Sequence, residues 1–205
     1  MWKNWAFGIV EGLTIKSGAL DDSPLQAFLE KLGTPLLPVK RPYVITAVDV
    51  NSGNYVRFTE ENTTDVHKMA REALSSSSMP LIFPTQTWKE YGITLMDGGS
   101  DYNVNLVDAV NRCRNIADKD EEITIDILSC DPLELAEYKD GENSLNNFLR
   151  KREIKTYWNN YADIWKEMQG FPKVNFRYVV MPSHKLYGGL DLINFDNATH
   201  TWEAQ

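Results

Sequence analysis

Apolar residues first recur with helical spacing between positions 21 and 33. In "DDSPLQAFLEKLG", Leu25, Phe28, Leu29 and Leu32 fall at i, i+3, i+4 and i+7, which predicts one buried stripe on a helix. Asp22 or Ser23 is placed to cap it, Pro24 suits its first turn, and Gly33 its end. The period then shortens. "YVITAVDV" (Tyr43–Val50) is almost continuously apolar and β-branched, the pattern of a strand covered on both faces. "NSG" turns the chain, and "NYVRFTE" reads as the hairpin partner. Helical spacing returns in "TTDVHKMAREAL", with Thr63 or Thr64 as cap and Val66, Met69, Ala70 and Leu74 inward. The serines Ser75–Ser78 are read as a helix end crowded against other backbone, because apolar "MPLIFP" follows them and a flexible linker would not carry it.

The alternation continues downstream. "GITLMD" is a short strand ending at Asp97, and "NVNLVDAVNRC" is a helix with Leu106, Ala109 and Val110 inward. "EEITIDILSC" is a strongly β-branched strand. After Cys130 a polar connection leads to a helical pattern from about Ser144 to Met168. Its wide aromatic face, from Phe148 through Tyr157, Trp158 and Tyr161 to Trp165, is expected to pack on the sheet; the sharper alternative is a lipid- or partner-facing surface. "KVNFRYVVMP" is the last strand. Strand and helix in alternation predict an α/β sheet with helices on its faces.

Composition narrows the picture. A chain of 205 residues with 42% hydrophobic content can bury one sizeable core, so 1–205 is expected to form a single domain. A formal net charge of −8 argues against nucleic acid as a partner, since phosphate neutralisation needs a basic face. Cys113 and Cys130 suit neither a disulfide scaffold nor a zinc site. Their apolar contexts predict buried free thiols and a reducing compartment. His67, His184 and His200 are scattered, so no Ser-His-Asp arrangement is indicated. No apolar run reaches 18 residues, and "MWKNWAFGIVEGL" is too short and polar for a signal peptide or span. The expectation is a soluble intracellular chain, cytoplasmic or peripheral at a membrane.

One stretch carries candidate chemistry. In "LMDGGSD", Asp97 ends a strand and two glycines follow. Alone, Asp-Gly is a common turn dipeptide. Three other stretches change its meaning: "GALDDSPLQAFLEKLG", "PYVITAVDVNSGNYVRF" and "EALSSSSMPLIFP", followed at a compatible interval by "LMDGGSDYNVNLVDA". In this order they resemble segments of the patatin-like lipid acyl hydrolases. The resemblance covers residues 12–130; 131–205 reads as a divergent helical and strand extension.

The resemblance implies a patatin-like three-layer α/β sandwich with a mostly parallel central sheet, here incomplete at its N-terminal side. It also implies ester hydrolysis of phospholipids and other acyl esters by a Ser-Asp dyad without a cofactor or metal. Carried over residue by residue, Asp97 is the dyad base, while Gly98, Gly99 and Asn103 form its motif turn. The family's Gly-x-Ser-x-Gly elbow and glycine-rich oxyanion loop are absent from 1–205. Ser75–Ser78 match a structural serine pair of the family and lack an elbow's flanking glycines. Asn103 is not followed by the usual proline, and "ITIDILSC" lacks a Ser-x-Gly-Thr-Gly. The chain alone is therefore expected to be inactive, its serine coming from an upstream segment or a second chain. A central strand lacking its neighbour is expected to need a protein partner over its edge. A non-catalytic patatin-like structural or interaction module is the alternative. An unrelated α/β binding domain is the weakest reading.

Overall fold

Among the described residues, buried apolar side chains gather in two clusters. The computed structural model describes residues 18, 20–100, 102–135, 137–138 and 143–183; His184 and His200 lie outside the described residues. The chain divides into two compact units, Met1–Asn103 and Val104–Gln205, each described by itself.

The first unit opens with α1 (Ser23–Gly33), which starts at Asp22 with Pro24 in its first turn. Asp22 makes no capping bond through its side chain; its carboxylate instead accepts from Gln86 Nε2 at 2.5 Å. Gly33 is the last residue of the helix, as expected. The chain continues into a 3-10 turn at Thr34–Leu36, and a Cβ on Gly33 would lie 3.2 Å from the Met69 and Val66 side chains, a close fit between the two helices. The expected stripe is only half realised. Leu25 and Leu29 are half-buried, whereas Phe28 is 55% exposed and Leu32 51%.

Strands β1 (Val44–Asp49) and β2 (Tyr55–Thr59) form the expected hairpin, whose turn uses Gly53 at φ +71°. Helix α2 (Val66–Ser76) follows, capped by Asp65 rather than by Thr63 or Thr64: the Asp65 carboxylate accepts from Lys68 N at 2.9 Å. A short strand β3 (Gln86–Trp88), which the sequence pattern does not reveal, leads through a turn at Gly92 (φ +66°) to β4 (Ile93–Asp97).

The sheet runs β2-β1-β4-β3 and is antiparallel throughout, which corrects the mostly parallel expectation. The reason is the connections. Tight turns can join only antiparallel neighbours, and here they make two hairpins that meet along β1 and β4. Both central strands are thus flanked, and among the described residues the edge strands are β2 and β3.

The core of this unit is Ala47, Phe58, Trp88 and Leu95. Trp88 stacks on Phe58 at 5.1 Å, takes the Arg71 guanidinium on its ring at 4.0 Å, and donates its indole N–H to Ser75 Oγ at 3.0 Å. The serine run behaves as read. Ser75 and Ser78 are buried at the end of α2, and their hydroxyls bond back to the Arg71 and Leu74 carbonyls at 2.8 and 2.7 Å.

The second unit consists of α3 (Leu106–Arg114), β5 (Thr124–Leu128), α4 (Ser144–Gly170) and β6 (Asn175–Val180). Here β5 and β6 pair in parallel, joined by α4 as crossover. Leu106, Val110, Ile123, Ile125, Ile127 and Ile164 share its core, with Ala109 packed against it as expected. The aromatic face of α4 is less covered than its pattern suggests: Ile164 is buried, while Trp158 is 57% exposed and Trp165 49%. Cys130 is exposed and Cys113 half-buried, so neither is the fully buried thiol expected from its neighbours.

Candidate functional site

Asp97 is the last residue of β4. Its backbone pairs with Ala47 of β1 on one side, and its N–H donates to the Ser78 carbonyl at 3.0 Å on the other. The strand tip is therefore held by both the sheet and the end of α2. The buried Gly98 comes next. A Cβ on it would fall 2.5 Å from the Thr46 carbonyl oxygen and 2.9 Å from Thr46 Oγ1, inside hard contact with backbone that does not yield. No side chain fits there.

A single 3-10 turn, Gly98–Ser100, then brings the Gly99 N–H back onto Asp97 Oδ1 at 2.9 Å. On the open side of this turn, Asn103 Oδ1 sits 3.2 Å from where a Gly99 Cβ would be. Asp97, Gly98, Gly99 and Asn103 are thus brought together in one small turn. Tyr55 closes one flank: its ring meets Tyr102 edge-on at 5.8 Å, and its hydroxyl donates to Thr46 Oγ1 (2.9 Å) or the Tyr102 carbonyl (3.2 Å).

The electrostatics follow from burial. Asp97 is half-buried, so desolvation raises its carboxyl above the ordinary aspartate range, and the Gly99 amide offsets only part of this. Asp49, at the far end of the adjacent strand β1, is the opposite case. Its carboxylate accepts from Ser52 Oγ at 2.6 Å and from the Ser52, Asn51 and Thr94 amides, which hold its pKa down. Asp49 braces a turn; Asp97 is a carboxylate kept basic.

Other chemistry-bearing residues do not join the site. The Ser75 and Ser78 hydroxyls are buried and spent on helix carbonyls, so neither is an activated nucleophile. His67 pairs with Glu30 at 3.0 Å on the surface, which raises its pKa. Among the described residues, no group of three His, Cys, Asp or Glu could hold a metal, and no helix is long and apolar enough to cross a membrane.

A second buried carboxyl escapes sequence reading because Glu72 looks like a solvent-facing position of α2. It is fully buried. Oε2 accepts from Thr63 Oγ1 at 2.8 Å and from the Tyr43 hydroxyl at 3.2 Å, Oε1 has no partner, and burial pushes its pKa up. Similarly, only the folded chain identifies Thr46 and Tyr55 as the residues that shape the Asp97 turn.

No protein-family model, curated protein or solved structure matches this chain. Its fold is mixed α/β.

Proposed function

We propose that this chain contributes the general base of a patatin-like lipid acyl hydrolase. In this reading Asp97 serves a serine carried on a Gly-x-Ser-x-Gly elbow in an upstream segment or a second chain. The observation that carries it is Asp97 itself: a half-buried carboxylate at a strand tip, anchored through Oδ1 by the Gly99 amide, its affinity for a proton raised by burial.

The chemistry follows from that environment. Asp97 accepts the serine proton as the serine oxygen attacks an ester carbonyl. The tetrahedral intermediate collapses, the C–O bond to the alcohol breaks, and Asp97 returns the proton to the departing alkoxide. Water then repeats the sequence on the acyl-serine, with the same carboxylate as base, and releases the fatty acid. Oxyanion donors must come with the elbow, because 1–205 holds no glycine-rich loop.

The test joins this chain to the polypeptide encoded immediately upstream and follows p-nitrophenyl butyrate hydrolysis. The chain alone should give none, and the joined protein should be active. Asp97→Asn should lower that activity by at least about a hundredfold. Full activity in Asp97→Asn, or turnover by the chain alone, would overturn the proposal.

A second reading, a non-catalytic interaction module, is favoured by the exposed apolar strands of the second unit, where Leu128 is 75% exposed and Tyr178 60%. It calls for a protein partner over these strands. A stable, monodisperse lone monomer in light scattering counts against it.

A further inference from the structure

We propose that the second unit carries a binding site for a single alkyl chain of medium length, independent of the Asp97 reading. The site is an apolar pocket of about 260 Å³ between α4 and the carboxyl end of the parallel pair β5–β6. That end of a parallel sheet is where α/β proteins form ligand crevices. Tyr161, Ile164, Trp165 and Met168 line it from α4 at i, i+3, i+4 and i+7, so one helix face supplies an entire wall. Met181, just after β6, and Leu133, in the connection after β5, face them.

The Leu133 wall is fixed in advance. Leu133 N–H donates to the Pro182 carbonyl at 3.0 Å, and the Leu133 carbonyl accepts from the Tyr157 hydroxyl of α4 at 2.8 Å. Nearby, Asn160 Nδ2 of α4 donates to Asp131 Oδ1 at 3.0 Å, and Ser129 N–H donates to the Val180 carbonyl at 2.9 Å. A ligand entering this pocket does not have to fix Leu133 first, which preserves affinity.

The lining selects the ligand. Among the described residues that line it none is charged, which selects an occupant that is uncharged and apolar where it is buried. Two methionines let the walls adapt to a flexible chain rather than hold one rigid ring. An apolar cavity of about 150 Å³ takes a benzene ring; by proportion, the volume here takes about ten carbons. Trp165, 49% exposed, and Val179, 43% exposed, bring the rim to solvent, where the polar head of an amphiphile stays hydrated.

The test is calorimetric titration of the full chain with hexan-1-ol, octan-1-ol, decan-1-ol and dodecan-1-ol. Affinity should rise about fourfold per methylene up to about decan-1-ol and then level off. Met168→Trp, which fills the pocket, should weaken decan-1-ol binding at least tenfold, while Phe148→Ala, at an exposed position of α4 that does not line the pocket, should leave it unchanged. Asp97→Asn should also leave it unchanged, which separates this site from the hydrolase reading. No decan-1-ol binding, equal increments continuing through dodecan-1-ol, or unaltered binding in a folded Met168→Trp would each overturn the proposal. Equal co-sedimentation of the wild type and Met168→Trp with phosphatidylcholine vesicles, without decan-1-ol binding, would assign the face to a bilayer instead and also overturn it. The chain-length break in the unmodified protein decides the matter should Met168→Trp not fold.

Discussion

Gly98 shows how closely the backbone of β4 approaches its neighbour. Gly98→Ala drives a methyl against the Thr46 carbonyl and should cost about 1–3 kcal/mol in chemical denaturation, the usual range for overpacking. Leu81 is the converse. It holds φ +75° with its side chain 62% exposed, so Leu81→Gly removes strain and little burial. It should stabilise by up to about 1 kcal/mol, the left-handed penalty less glycine's entropy. Glu72 supplies a pH signature. Burial raises its folded pKa above the unfolded one, so its contribution favours the native state below the unfolded pKa and is lost as pH rises through the folded value. Glu72→Gln keeps an acceptor for Thr63 and removes the buried charge. The variant should therefore be more stable than the wild type at pH 7, with the advantage shrinking toward pH 4 in denaturation curves. Of these residues, only the Asp97 turn is legible in the sequence, since Asp-Gly-Gly after a strand is a local signal. Thr46, Tyr55 and Glu72 act through neighbours distant along the chain, which no local pattern encodes.

At the scale of elements, hydrophobic period locates most helices and strands correctly, because each is decided within a few residues. Which strands pair is a different matter. Continuous apolar character in Tyr43–Val50 suggests a parallel core strand, yet the turns at Gly53 and Gly92 enforce hairpins and an antiparallel sheet. The three residues of β3 are too few to show a period, and their place depends on Trp88. That indole packs against Phe58 and is tied to Ser75, so Trp88→Ala should cost about 3–5 kcal/mol, read as a lowered denaturation midpoint. Helix α1 illustrates the limit of periodicity. A stripe of four apolar residues does not specify how much of it a neighbour covers, and Phe28 and Leu32 stay largely in solvent.

For the molecule as a whole, the described residues bury two apolar clusters, one in each unit. Calorimetric unfolding should accordingly depart from a single two-state transition. Trp88→Ala should lower one component and leave the other in place; a single transition shifted as one would contradict this division. The candidate site belongs to the first unit and the alkyl pocket to the second, so each can be inactivated without the other.

The central claim is that burial, only partly offset by the Gly99 amide, makes Asp97 a stronger base than an ordinary aspartate. Its direct measure is the titration of the Asp97 carboxyl carbon by NMR in the intact chain, with Asp97→Asn to assign the signal. The expected midpoint lies above the ordinary value of about 3.9. Any esterase activity that depends on Asp97 should then fall away at the same elevated pH as the carboxylate is protonated. A midpoint at or below the ordinary value would show that burial does not govern this carboxyl and contradict its role as a strengthened base.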